Sequence, residues 1–203
     1  MLTKGTPRER RHERTKRRIL DCAREILVNQ GMAGLSMRGL AEQIDYTPSA
    51  IYKYFTSKED ILQAIRQEGF ALSAKMHAEA ASRPLPAPEK LLAAGRAYLR
   101  FAETYPQHYL LMFNSPELPP GGVEAVANDP NFSGVPQIVR EGVEQGCFRL
   151  PPGYTPEMMA FQCWITVHGM AMLKVGIMHG AREEFGAFCD QLLEAIVASF
   201  TVK

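Results

Sequence analysis

The chain has 203 residues, 46% hydrophobic and 22% charged, so it can bury one large or two small cores and is no disordered tether. A net charge of +1 argues against a general nucleic-acid coat, but the charge is uneven. Residues 1–18 hold eight basic side chains (Lys4, Arg8, Arg10, Arg11, Arg14, Lys16, Arg17, Arg18) against Glu9 and Glu13, which leaves 15 basic and 20 acidic residues for the rest.

In chain order, almost every segment carries helical periodicity, and no run alternates long enough to make a strand. The first helix is expected from about Arg8 to Asn29, with Ile19, Cys22, Ala23, Ile26 and Leu27 as its apolar stripe and Gly31 closing it. Ser36 caps a short helix containing Met37, Leu40, Ala41 and Ile44. Thr47 then caps a second, with Pro48 in its first turn, where a missing N–H costs nothing. Ser57 caps a longer helix reaching about Ala81. Three prolines between Arg83 and Pro88 break the chain there. Further helices are expected over about Glu89–Thr104, Pro106–Phe113, Pro136–Gly146, Thr155–His179 and Glu183–Thr201, with an additional turn over Val123–Asn128. The reading is all-α: an N-terminal helix-turn-helix domain over 1–56, a connecting helix over 57–81, and a larger C-terminal helical domain over 88–203.

Residues 36–55 are the most informative stretch. Ile51 and Phe55, four apart, anchor the second short helix to a core, which leaves Thr47, Ser49, Tyr52, Lys53 and Tyr54 to point elsewhere. That is the pattern of a helix-turn-helix, whose second helix enters the DNA major groove. Thr47 and Ser49 can reach phosphates or base edges, and Pro48 and Ala50 can meet a thymine methyl. Lys53 and Tyr54 suit phosphates or bases, while Arg38 and Lys58 are placed to grip phosphates. Tyr52 either meets DNA or packs inside the small head. Leu40-Ala41, Thr47, Ile51-Tyr52-Lys53-Tyr54-Phe55 and Ser57-Lys58-Glu59-Asp60-Ile61-Leu62 together resemble the TetR family of bacterial transcriptional regulators. The chain departs from that pattern at the corner, where Asp45 replaces the usual Gly; Asp is among the few other residues that tolerate positive φ.

In the second region, Trp164-Ile165-Thr166-Val167-His168-Gly169 resembles the Trp-x-x-x-His-Gly signature of a C-terminal subclass of that family, the WHG type, and Tyr105-Pro106 through Phe113 does so too. Trp164 and His168 share a helix face with Phe161 and Met172, and Tyr98, Phe101, Tyr105, Tyr109 and Met112 are candidates for the opposite wall. Such a wall suits a small hydrophobic or aromatic ligand, although residues at this spacing also build ordinary cores. The last two helices are rich in small residues (Gly169, Gly176, Ala187, Ala195) and apolar ones (Leu192, Ile196, Phe200). The resemblance implies that they pair across a two-fold axis, making a homodimer whose reading helices bind a double-stranded, pseudo-palindromic operator. It further implies a repressor released by ligand; a ligand-independent DNA-binding protein is the alternative.

An enzyme using His168 finds no support in a nucleophile elbow, phosphate loop or paired acids. Cys22, Cys147, Cys163 and Cys189 have neither CxxC nor zinc spacing, so buried reduced thiols are expected and no metal or cofactor is implied. Asp21, Arg24 and Glu25 follow the basic start where a signal peptide would be apolar. The apolar stretch Met158–Leu173, interrupted by Gln162, Thr166 and His168, falls short of the roughly 18–20 residues that span a bilayer. A cytoplasmic location with no membrane partner is expected.

Overall fold

A computed structural model describes residues 6–113 and 134–202. Helix α1 (Pro7–Gly34) opens with a capping box, in which Thr6 Oγ1 accepts from the Glu9 N–H and the Glu9 carboxylate accepts from the Thr6 N–H. Its helical geometry is interrupted at Gly31 (φ 68°, ψ −169°), where the end is expected, although helical hydrogen bonding resumes to Gly34. Helices α2 (Met37–Gln43) and α3 (Pro48–Ile51) follow, each capped as the sequence predicts. Ser36 Oγ accepts from Gly39 at 3.1 Å and Thr47 Oγ1 from Ala50 at 3.3 Å. Asp45 turns the corner between them at φ 59°, alone among the described non-glycine residues in having positive φ. The second helix is shorter than a full reading helix, but backbone bonds from Tyr52, Tyr54 and Phe55 to Pro48 and Ile51 continue its turn.

Helix α4 (Lys58–Ala81) contributes Ile61, Leu62 and Ile65 to the core shared by α1, α2 and α3, then continues beyond it. Helices α5 (Ala87–Thr104), α6 (Pro106–Phe113), α7 (Gly134–Glu144), α8 (Pro156–Val175) and α9 (Arg182–Phe200) complete the described chain. The predicted extension of α8 to His179 is replaced by a break at Gly176 and a single 3₁₀ turn over His179–Ala181. The predicted turn over Val123–Asn128 lies outside the described residues. A second core joins Tyr98, Phe101, Tyr109, Met112, Val167, Met170, Cys189 and Leu193. The third gathers Leu91, Ile138, Val139, Phe148, Met159, Val197 and Phe200 at the other end of α5.

Helix α6 touches both worlds. Its Leu111 is buried in the first core while Tyr109 and Met112 lie in the second. It approaches α4 at Gly69, where a Cβ would fall 2.8 Å from Met112 Sδ and 3.1 Å from His108 Cβ, so a larger residue would require both side chains to shift. Arg66 Nε donates to the Leu111 carbonyl at 2.9 Å, and Glu68 accepts from Arg24 of α1 and sits 3.4 Å from His108 Nε2. Among the described residues no helix is long and apolar enough to cross a membrane, and no cluster of side chains could hold a metal.

Candidate nucleic-acid interface and ligand pocket

Ile51 is fully buried and Phe55 nearly so, and this anchoring turns the remaining side chains of α3 outward. Thr47, Pro48, Ser49 and Lys53 are exposed, Ala50 is half-buried, and Tyr52 keeps 51% of its surface in solvent. Tyr52 therefore does not pack inside the head. The Thr47 and Ser49 hydroxyls lie 3.1 Å apart, forming one polar spot at the start of the helix. Arg38, 85% exposed on α2, is held at 2.9 Å by Glu42 on its own helix and remains accessible.

Two expected DNA contacts are placed differently. Tyr54 is half-buried against the first core, with its ring centroid 4.7 Å from that of His12 on α1. It belongs to the packing between α1 and the reading element rather than to the outer face, because three residues after Ile51 it shares that residue's inward side. Lys58 is half-buried and its Nζ donates to the Met32 carbonyl at 2.6 Å, an exposed bond beside the turn after Gly31. Within the basic run, Lys16 Nζ lies 5.6 Å from the centre of the Phe55 ring, and the Arg18 guanidinium lies 5.8 Å from that of Tyr46.

In the second core, Tyr98 of α5 and Tyr109 of α6 bring their hydroxyls to 2.9 and 2.7 Å from His168 Nδ1 on α8. Trp164 stacks on the His168 ring at 5.1 Å, Phe161 lies 5.4 Å beyond Trp164, and Phe113 meets His168 edge-on at 4.6 Å. Burial lowers the His168 pKa and raises both phenols, so all three groups are neutral at pH 7. Nothing here activates a nucleophile. Cys163 on the same helix is likewise a protonated thiol, pushed up to about 11 by burial.

The cleft beside this cluster is lined by Tyr98, Trp164, Cys163, Val167, Leu193 and His77, the last supplied by α4. Its cavity volume is about 40 Å³, well below the ~300 Å³ of even a small ligand pocket. The predicted aromatic wall is thus filled by its own side chains. Phe101 is fully buried behind Tyr109, and Met112 is packed against Gly69, so both are core. Tyr105 is half-buried between Phe101 and His108, away from the cleft. Met172 is 41% exposed and faces out of the second core. His77 had no sequence signal: its Nδ1 donates to the Ser73 carbonyl at 2.8 Å within α4, and only the passage of α4 past α5 brings it to the cleft.

The family described as bacterial regulatory proteins, tetR family, matches residues 19–65, and the tetracyclin repressor-like C-terminal domain matches residues 91–200. The HTH-type transcriptional regulator Rv1816 of Mycobacterium tuberculosis is 25% identical over 154 residues, covering 73% of this chain and 65% of that protein's length. A TetR-family transcriptional regulator from Pectobacterium atrosepticum superposes with a TM-score of 0.70 at 20% identity, covering 98% of this chain and 99% of the other. A Rhodococcus protein described as of unknown function superposes at 0.74 with 21% identity, covering 92% and 95%. Family matches over head and C-terminal region together, on a fold shared from end to end, place the chain in the TetR family of bacterial transcriptional regulators, and it is not an enzyme.

Proposed function

We propose that this regulator is a cytoplasmic homodimeric repressor that reads a pseudo-palindromic operator with α3 and is released by a small hydrophobic or aromatic ligand. The observation that carries the DNA reading is the split within one turn of helix. Ile51 and Phe55 are buried while Thr47, Ser49, Tyr52 and Lys53 stand outside with no core to join. The proposed division assigns residues 1–56 to the reading head, 57–81 to the connector and 88–203 to the effector and dimer domain, with Ile61, Leu62 and Ile65 of the connector completing the core of the head. Selection of duplexes from a random pool by the purified protein supplies the operator. Lys53→Ala and Tyr52→Ala are expected to abolish its retention with the dimer intact, and unchanged affinity in both would overturn the assignment.

Dimerisation is supported by an apolar face that one chain leaves uncovered. Ile165, Leu173 and Ile177 around α8, and Phe188 and Leu192 on α9, are between 38% and 82% exposed. A Cβ on Gly169 would meet nothing within 4 Å, so this glycine leaves room for a neighbour from outside the chain. The ligand reading rests on the Trp164–His168–Tyr98–Tyr109 cluster, whose neutral polar tips sit in apolar surroundings. With 40 Å³ available, ligand entry requires side chains to move. Displacing His168 would pull on Tyr109, and α6 carries the shift to α4 through Arg66 and Gly69. Such a ligand acts only by binding the two head arrangements unequally. The filled cleft favours the second reading, a regulator without a small effector. Trp164 is the single tryptophan, so its fluorescence separates the two: quenching by apolar aromatic compounds supports the first, indifference the second.

A further inference from the structure

The last turns of α4 and the facing side of α5 enclose a groove of about 340 Å³, a volume in the range of small-molecule sites, and it shares no lining residue with the cleft at Trp164. The connection over 82–86 is short, so α5 runs back antiparallel along α4. Ala80, Ala93 and Ala97 put only methyl groups on this seam, which leaves the space open. Met76 and Leu92 form an apolar floor and pack on the second core beneath. The charged lining is bipolar. Glu79, Glu89 and Arg83 stand near the connection, with a balance of one negative charge. Arg96 and Arg100 stand at the other end, two and three turns along α5. Arg96 is already held by Asp190 and Glu194 of α9, at 2.9 Å each. The Glu79, Arg83, Glu89 and Arg100 side chains are exposed and make no ion pair among the described residues.

We infer that the groove is a binding site for an elongated zwitterion, a molecule with an ammonium group at one end, a carboxylate at the other and an apolar body between. Charge complementarity selects this occupant over a simple anion or cation. Glu79 and Glu89 can accept from the ammonium group, and Arg100, with no acidic partner among the described residues, presents its fork to the carboxylate. Glu89 and Arg100 are about 16 Å apart along the helix axis, a span their long side chains shorten, so a body of about seven methylene groups suits the floor. One wall of the groove is α4, so the occupant holds the connector of the reading head against α5.

The test is isothermal titration calorimetry of the full-length protein with ω-aminooctanoate, octanoate and octylamine. The zwitterion is expected to bind about tenfold more tightly than either singly charged analogue, the worth of one charge-assisted pair. R100Q is expected to weaken ω-aminooctanoate about tenfold and leave octylamine unchanged, and E79Q/E89Q to weaken it to the level of octanoate. These positions are exposed, so the variants should keep the circular dichroism of wild type. Octanoate or octylamine binding as tightly as the zwitterion would overturn the inference. So would an ω-aminooctanoate affinity unchanged in both variants, or no binding heat at about 1 mM. None of these outcomes depends on operator binding or on the cluster around Trp164.

Discussion

Replacing Tyr98 and Tyr109 by Phe, singly and together, probes the cluster in the second core. Both hydroxyls lie within 3 Å of His168 Nδ1, at 2.9 and 2.7 Å, and His168 is neutral because burial disfavours its charged form. Removing one hydroxyl leaves the other as a partner, so each single variant should cost about 0.5–1.5 kcal/mol, the net worth of an ordinary hydrogen bond. Removing both strands the ring nitrogen in apolar surroundings, which adds a desolvation penalty of about 1–3 kcal/mol. The double variant should therefore exceed the sum of the singles by about 1 kcal/mol or more. Urea unfolding at fixed protein concentration measures this, because dimerisation would make the midpoint concentration-dependent. Strict additivity would show that the two hydroxyls do not share His168, and the proposed route from the cleft through α6 would lose its first step.

Three further outcomes follow from packing, backbone and charge. Burial lowers the pKa of His168, His77 and His108, so the unfolded chain binds protons more readily than the native one. Their contribution to stability should be fully present above about pH 6.5 and lost as pH falls through the depressed native values; urea midpoints that do not fall from pH 7.5 to 5.5 would contradict this. Asp45→Ala places a Cβ residue without a turn-forming side chain at φ 59°, so it should cost about 1 kcal/mol, whereas Asp45→Gly should be neutral by the same unfolding assay. Apart from its immediate chain neighbours and its own helix backbone, a Cβ at Gly169 meets no described atom of its own chain within 4 Å, so Gly169→Leu should leave the monomer fold intact while shifting sedimentation towards monomer. An unshifted dimer would move the interface elsewhere.

Local chemistry made the head legible. Caps at Ser36, Thr47 and Ser57, the Ile51–Phe55 spacing and the Asp45 corner each act within four residues, and all three helix starts stand where those caps put them. What the sequence could not resolve was the direction of residues at the margin of a face. Tyr54 and Lys58 read as contacts, and the fold gives them partners the sequence did not show, His12 and the Met32 carbonyl, both more than 20 residues away. The effector region shows the same limit at larger scale. Helical spacing brought Trp164 and His168 together, and tertiary packing supplied the Tyr98 and Tyr109 hydroxyls from two other helices. Spacing alone could not tell Phe101, sealed in the core, from Tyr98, which lines the cleft, and it could not foresee His77 arriving on α4.

Two reading heads, one from each protomer, are proposed to engage successive major grooves through α3. Methylation-protection footprinting of a selected duplex tests it directly. Two protected half-sites with centres one helical turn apart, about 10 base pairs, or a multiple of that, and both lost in Lys53→Ala, are predicted. A single protected patch, or a footprint unchanged by Lys53→Ala, would contradict the account.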